Sequence, residues 1–358
     1  MHDVRRALCV TPTHRHRGST PMGPAFQRET GAAFALVDVG GTKILAGLVS
    51  EGKLRDVVRI ATDATGGGDA VCAQIAAALG KMRGSRRSVW RRLAGIGVSV
   101  AGPVDRARGV VLSSPNLGWV EYPLRQRLES ALEKCVAVEN DANCAALGEA
   151  RFGAGRGCEH VVCAMIGTGI GGGLVLRRRL YGGACNVAGE IGHMTIVPGG
   201  PDCRCGNSGC LEAVASGTAI ARRGRQLLVD GRSPILARIA VGDLGRVTAG
   251  EVVRAAMEGD RACTFVVEEA VAHIGIGLAN VVQVVNPQAV IIGGGVVVGN
   301  PELLAMINER TRTHLTSVQR ASLTIRAAEL GEYSGLWGAL DVISNGTAEN
   351  ACGSSELV

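Results

Sequence analysis

The sequence predicts an α/β protein of two similar domains that face each other across a cleft. Three observations point there. The chain has 358 residues, more than one hydrophobic core usually serves. An apolar strand that enters a glycine turn and returns as a second strand occurs twice, at 34–50 and again at 161–177. Around these hairpins, helical spacing of apolar residues alternates with short apolar runs, the grammar of a sheet with crossover helices.

Taken in order, residues 1–30 hold Thr11-Pro12-Thr13, Pro21 and Pro24 among scattered Arg and His, without a hydrophobic period. They read as a flexible extension, with Met22 as an alternative start. Strands are expected at 34–39, 44–50 and 56–60. A helix over 69–81 follows the Gly66-Gly67-Gly68 breaker, with Asp69 as its N-cap. The buried strand 96–100 ends at Ala101-Gly102-Pro103, and a strand at 135–138 leads into a helix over 142–152. The second half repeats the pattern with strands at 161–166 and 173–177 and helices at 249–257 and 261–285. Pro287 stops the last helix, and a strand at 289–292 follows. The expected division is an N-terminal domain of 31–139 with 333–345, a C-terminal domain of 140–332, and a flexible tail at 346–358.

Composition narrows the function. Hydrophobic residues are 46% and charged residues 20%, with 52 glycines against 11 prolines, so a dense globule rich in tight turns is expected. The net charge of +6 is modest, and Arg5, Arg6, Arg15, Arg17 and Arg28 concentrate much of it near the start. Aromatics at 3% offer no stacking platforms, so nucleic acid is not an expected partner. Arg177-Arg178-Arg179 reads as a solvated hairpin end. A small polyanion such as a nucleotide needs only local positive potential. Ala7-Leu8-Cys9-Val10 is too short for a secretory signal, and Gln283, Asn286, Pro287 and Gln288 interrupt the apolar stretch at 281–298. A cytoplasmic protein without a membrane partner is expected. Its twelve cysteines then read as packed thiols, among them Cys72, Cys144 and Cys163, or as metal ligands.

Asp38-Val39-Gly40-Gly41-Thr42-Lys43 directly follows an apolar strand. Its glycines let backbone approach phosphate oxygens, and Thr42 and Lys43 can donate to them. Asp38 would hold the water of a magnesium ion or orient the loop. The spacing is not that of a P-loop, and an ordinary hairpin turn is the plain alternative. A second turn, Ile166-Gly167-Thr168-Gly169-Ile170-Gly171-Gly172-Gly173, again follows a strand and offers Thr168 and glycine amides. It fits G-x-G-x-x-G but leads into Leu174-Val175-Leu176 and not a helix, which argues against a dinucleotide site. Two such turns, one per domain, suit a nucleotide clamped between them. Gly293-Gly294-Gly295 would let a flat adenosine lie on bare backbone.

Asn140-Asp141-Ala142-Asn143 joins a strand to a helix. Asp141 is either the N-cap of that helix or a base that accepts a hydroxyl proton as the oxygen attacks phosphorus. Glu190-Ile191-Gly192-His193 precedes Cys203-Arg204-Cys205-Gly206-Asn207-Ser208-Gly209-Cys210-Leu211-Glu212. Three thiolates on a tight loop, completed by His193, make a closed Cys₃His zinc set. Four protein ligands leave no place for a catalytic water, so the ion would be structural. Glu190 and Glu212 flank this loop and are placed to accept hydrogen bonds from vicinal hydroxyls. Each alone would read as a solvated surface charge.

Together, D-V-G-G-T-K, G-P-V-D with S-P-N-L-G-W, E-N-D-A-N, G-T-G-I-G-G-G, G-E-I-G-H and C-x-C-G-x-x-G-C-L-E resemble the ROK family of sugar kinases and repressors, from about Phe34 to Leu340. The resemblance implies the actin-like, ribonuclease H-like duplicated ATPase fold, ATP and Mg²⁺ as cofactors, and a dimer or tetramer. Carried over by motif, it implies Asp141 as base and Asn116, Asn140, Glu190, His193 and Glu212 on the sugar hydroxyls. It likewise implies His193, Cys203, Cys205 and Cys210 on zinc, and Gly41, Thr42, Thr168, Gly169 and Gly294 on ATP. Ser114-Pro115-Asn116-Leu117-Gly118-Trp119, with Pro123-Leu124, most resembles bacterial glucokinases and implies transfer to the 6-hydroxyl of D-glucose. Family kinases of amino sugars and of valiolone-type C7-cyclitols are the alternatives. Val214 stands where Glu-x-Tyr-Ala-Ser-Gly is common, which leaves the sugar pocket's shape open. A repressor is the rival from another class. Only about thirty residues, broken by prolines, precede the first phosphate motif, so catalysis is expected instead.

Overall fold

The structure, a computed structural model, describes residues 32–352, and side chains to residue 345. The expected 1–30 extension lies outside the described residues. β1 (Ala33–Val39), β2 (Lys43–Ser50) and β3 (Lys53–Ala61) form an antiparallel meander. α1 (Gly67–Ser85) and α2 (Arg87–Arg91) then lead to β4 (Leu93–Val100), parallel to β1. A small separate sheet follows, of β5 (Val104–Asp105), β6 (Val110–Ser114) and β7 (Trp119–Tyr122). After α3 (Leu124–Leu132) comes β8 (Val136–Asn140), which closes the first sheet in the order β3-β2-β1-β4-β8 and runs directly into α4 (Asp141–Phe152).

The second half repeats this plan. β9 (Val161–Ile166), β10 (Ile170–Leu176) and β11 (Arg179–Leu180) are antiparallel. Helices α5 (Leu211–Ala215), α6 (Gly217–Val229), α7 (Pro234–Ile239), α8 (Ala249–Met257) and α9 (Arg261–Val285) precede β12 (Ala289–Gly293), which lies parallel to β9. α10 (Pro301–Thr313) and α11 (Ser317–Ser322) lead to β13 (Thr324–Ala327), also parallel, and α12 (Ser334–Cys352) ends the described chain. The order β11-β10-β9-β12-β13 matches the first sheet strand for strand. The strands that carry parallel pairing in the middle of each sheet are buried on both faces, as crossover helices require.

α4 and α12 cross between the two sheets. A Cβ at Gly338 would stand 1.8 Å from the Cys144 carbonyl oxygen, and one at Gly148 would stand 2.3 Å from that of Ser334. Bare glycine backbone is what lets the helices meet. α12 lies on the first sheet, where Gly97 faces the Ala339 carbonyl, and α4 lies on the second, where Gly173 faces Ala146. α12 continues to Cys352, into the segment expected as a tail.

Several expectations need correction. The first long helix starts at Gly67 and runs to Ser85; Asp69 does not cap it. Asp63 instead accepts from Gly66 N–H in a preceding 3-10 turn, and Asp69 accepts the Tyr122 hydroxyl at 2.8 Å. The returning strand of the second hairpin begins at Ile170 and not 173, because Ile170 pairs with Ile166 across a turn of only Gly167–Gly169. The sheet at 104–122 was not foreseen, since its strands are too short to show alternation. α9 is long and apolar enough by composition to cross a bilayer. Here Val266, Val267, Ile274, Leu278 and Val282 bury it in the C-terminal core.

Candidate active site

Asp38 and the first glycine turn stand at the end of β1. Asp38 accepts from Ser99 Oγ at 2.5 Å, and Gly335 of α12 passes so close that a Cβ there would meet the carboxylate at 2.7 Å. Burial pushes this carboxyl above its usual range, against the Ser99 hydrogen bond and the Lys43 charge that pull it down. The turn is closed by Gly40 N–H donating to the Lys43 carbonyl at 2.9 Å, and Thr62 Oγ1 donates to the Gly40 carbonyl at 2.7 Å. A Cβ on Gly41 would stand 2.9 Å from Asn116 Cβ, so the turn packs on the loop that carries Asn116. Lys43 does not reach into open space: its Nζ donates to Glu332 at 3.0 Å, a carboxylate that Arg59 also pairs.

Asn140 and Asp141 divide the two readings of their motif. Asn140 is the N-cap, its Oδ1 accepting from Asn143 N–H at 3.1 Å. Asp141 occupies the first helical position, where its Oδ1 accepts from its neighbours Ala142 N–H at 2.9 Å and Asn140 Nδ2 at 3.0 Å. Asn140 Nδ2 also donates to the Gly102 carbonyl at 3.0 Å, which fixes the amide. With the cap supplied by its neighbour, the bonds from Ala142 and Asn140 both fall on one oxygen of Asp141, Oδ1. The side chain has solvent-open surface, yet protein surrounds it on most sides. That confinement, and next the negative charge of Asp38, push its carboxyl up to about 7. Glu190 adds a smaller push in the same direction, while the Ala142 amide opposes it.

The second glycine turn is held from beneath. Gly217 N–H and Thr218 N–H, at the start of α6, donate to the carbonyls of Gly167 at 2.8 Å and Thr168 at 3.2 Å; Thr218 Oγ1 adds a 2.8 Å bond to Thr168. Gly294 has φ +91° and lies against the Ile166 carbonyl, 2.3 Å from a notional Cβ. Thr168, Gly169 and Gly294 are therefore brought to one place. Glycines 171 to 173 do something else. Gly171 and Gly173 let α4 approach at Ala142 and Ala146, and Gly172 admits Gly189 and Ile191 on the other face of β10. The G-x-G-x-x-G spacing thus reflects packing beyond Gly169.

The zinc candidates converge. The ligand atoms of His193, Cys203, Cys205 and Cys210 all lie within 4.8 Å of one another. Cys205 and Cys210 sulfurs are 3.7 Å apart, and Cys203 Sγ is 3.6 Å from His193 Nδ1. Ligands at about 2.3 Å and 2.0 Å from a tetrahedral zinc ion have such edges, so the residues fit the ion. Burial first, then the adjacent Cys205 and Cys203, push the Cys210 thiol up to about 12, a crowding that a divalent cation relieves. With Nδ1 turned to the thiols, His193 Nε2 faces Glu190 at 3.9 Å. Glu212, on α5 just past Cys210, accepts the Ile170 N–H at 2.8 Å, and Gly169 leaves room for its carboxylate. Glu212 therefore links the cysteine loop to the second glycine turn. Val214 packs on the C-terminal core.

The sequence reading missed several residues that hold this arrangement. Ser99, Gly335 and Glu332 lie outside the motifs and are found only through their partners Asp38 and Lys43, while Gly102 opens G-P-V-D but had no role assigned until its carbonyl met Asn140. Glu139 is fully buried beside the Asn-Asp pair, and its letter in E-N-D-A-N was the one available signal.

The ROK family profile matches residues 34–345. The glucokinase of Halalkalibacterium halodurans is 36% identical over 304 residues, 84% of this chain and 92% of that protein. The glucokinase of Streptomyces coelicolor is 35% identical over 86% of this chain and 96% of its own. Among solved structures, a ROK family glucokinase from Streptomyces griseus in complex with glucose and AMPPNP superposes with a TM-score of 0.76 at 34% identity. It covers 88% of this chain and 100% of that one.

Proposed function

Because the chain belongs to the ROK family, we propose that it is an ATP-dependent sugar kinase whose acceptor is the 6-hydroxyl of D-glucose. The observation that carries this reading is the Asp141 carboxyl, raised to about 7 at the start of α4 within electrostatic reach of Asp38, at the first glycine turn, and of Glu190, which itself lies 3.9 Å from His193. Its similarity to glucokinases, one of them solved with glucose and AMPPNP, supplies the sugar and the nucleotide.

In the proposed reaction Asn116, Asn140, Glu190, His193 Nε2 and Glu212 Oε1 hold the sugar hydroxyls. Asp141 Oδ2 accepts the proton of the hydroxymethyl oxygen as that oxygen attacks the γ-phosphorus and ADP departs. A base near neutrality balances availability against proton affinity, and contributes about 10²–10⁴-fold. Gly41, Thr42, Thr168 and Gly169 approach the phosphates, and Gly294 takes the adenosine. Magnesium bound with the nucleotide neutralises phosphate charge; the mutual repulsion of Asp38 and Asp141 marks where a cation is favoured, with Asp38 as its carboxylate. Zinc on His193, Cys203, Cys205 and Cys210 would hold the loop that aims His193 and Glu212. Cytoplasmic assembly as a dimer or tetramer completes the proposal.

The test is ADP release from MgATP with glucose, mannose, fructose, N-acetylmannosamine, N-acetylglucosamine and a valiolone-type cyclitol. Preferred turnover of glucose, with phosphate on its 6-oxygen by NMR, is expected. Preference for the cyclitol or an amino sugar would replace the acceptor, and no turnover of any would end the kinase reading.

A further inference from the structure

Glu139 is buried with no exposed surface, yet it is an acid one residue from the Asn140-Asp141 pair. Its Oε1 accepts three hydrogen bonds: Asn140 N–H at 2.8 Å, Asn143 Nδ2 at 3.0 Å and Asn186 Nδ2 at 2.9 Å. Its Oε2 lies 2.9 Å from Arg106 Nε, an ion-pair contact rather than an aligned hydrogen bond. Every partner is a donor. A carboxylate, which accepts at both oxygens, satisfies all of them, and an amide cannot.

These partners come from three separate segments. Asn140 and Asn143 belong to the junction of β8 and α4, and Arg106 to the turn after β5. Asn186 belongs to the loop after β11, which is closed by Ala188 N–H donating to the Gly182 carbonyl and which ends at Glu190. The Asn186 amide also donates to the Val104 carbonyl at 3.1 Å. Its backbone has φ +59°, a left-handed conformation that asparagine tolerates better than most residues. One buried acid therefore ties the loop leading to Glu190 to the strand end that carries Asp141.

We propose that Glu139, clasped by Asn186, is a positioning residue that sets the sugar-gripping loop and the base in one register. This rests on the kinase reading for its kinetic consequence, but not for its effect on sugar binding. The tie acts on the sugar side of the cleft, and the nucleotide side has no hydrogen bond to Glu139.

Asn186→Gly is the decisive variant, because glycine keeps the positive φ and deletes only the amide. Loss of a hydrogen bond to a buried charged group corresponds to about 10- to 100-fold. The expected result is a sugar Kd raised by about that factor in calorimetry without nucleotide, an unchanged ATP KM, and a Tm lowered by a few degrees but still well above the assay temperature. Glu139→Gln should show the same sugar defect with a further drop in kcat, and the double variant should be no worse in sugar Kd than Glu139→Gln alone. A wild type that binds sugar but transfers no phosphate would remove the kinase reading and leave the Kd comparison intact. Unchanged sugar Kd in Asn186→Gly, or strictly additive losses in the double variant, would overturn the proposal.

Discussion

Two residues before its first turn glycine, the N-terminal half carries Asp38; at the matching place before Gly167, the C-terminal half carries Met165. The strand order is the same and the chemistry is not. The first turn is closed by a bond from Gly40 to Lys43 and braced by the Thr62 side chain and the Asn116 loop. The second is tighter, with Gly167 N–H reaching the Gly169 carbonyl at 2.9 Å, and is pinned by the start of α6 and by Glu212. In both halves a glycine with positive φ follows the strand that runs parallel to the first hairpin strand, Gly102 after β4 and Gly294 after β12. Gly102 offers its carbonyl to Asn140, whereas Gly294 backs the second turn at Ile166. Duplication thus repeats backbone geometry, while the side chains of each copy decide its chemistry. The first copy carries the buried acid Asp38 at its turn, and the second carries a turn that Glu212 ties to the cysteine loop.

The largest effect should come from the acidic side. Asp141→Asn is expected to lower kcat by about 10²–10⁴-fold with little change in sugar Kd. In the wild type, kcat/KM should rise with pH through about 7, because the protonated carboxyl cannot take a further proton. The stability effect has the opposite sense. The folded protein holds this proton between the ordinary value of 3.8 and about 7, where the unfolded chain has lost it, so stability falls as pH rises through that window. Asp141→Asn should thus raise Tm at pH 8 and not at pH 4, as thermal melts at the two pH values will check.

Next comes the metal loop. Chelation or Cys210→Ser should remove one zinc ion per chain and raise the sugar KM by at least about tenfold. Hydrogen exchange should accelerate across 190–215 and stay unchanged across 33–50; equal acceleration in both would erase the contrast between the halves. Smaller again is the effect of a methyl group in the turns. Gly169→Ala places a Cβ 2.3 Å from Glu212 Oε2 and should weaken both sugar and ATP binding, about tenfold if the Ile170 bond is lost. Gly40→Ala meets only the Lys43 carbonyl, at 3.3 Å, and should cost less in the same steady-state assay.

The smallest effect belongs to Lys43. Its pair with Glu332 is half-exposed, so Glu332→Gln should change stability by no more than about 1 kcal/mol in urea melts. Lys43→Met should leave the ATP KM within about threefold, and a larger rise would show that Lys43 leaves Glu332 for phosphate.

Much of this was legible beforehand because it is local. Hairpins announced themselves by apolar runs broken at Gly40-Gly41 and Gly167–Gly169, and α9 by helical spacing from Arg261 to Val285, with Pro287 as the stop beyond it. The cysteine loop was legible because ligand spacing within eight residues leaves few geometries. The Asp69 cap failed since Asp63 and a 3-10 turn took the helix start, a competition that residue preference does not resolve. α12 went unnoticed because its glycines, which break a helical signal, serve close packing on Cys144 and Asp38.

What the sequence by itself determined, then, is the duplicated α/β plan, the two glycine turns, the Cys₃His set and the acids beside them, since each is a short pattern with its own stereochemistry. Only the tertiary structure decided that Asn140 caps and Asp141 is left free, that Lys43 belongs to Glu332, and that Glu139 gathers donors from three segments. Those outcomes depend on which distant groups arrive within about 3 Å of a side chain, and the confinement that raises a carboxyl to about 7 exists only once the chain has folded around it.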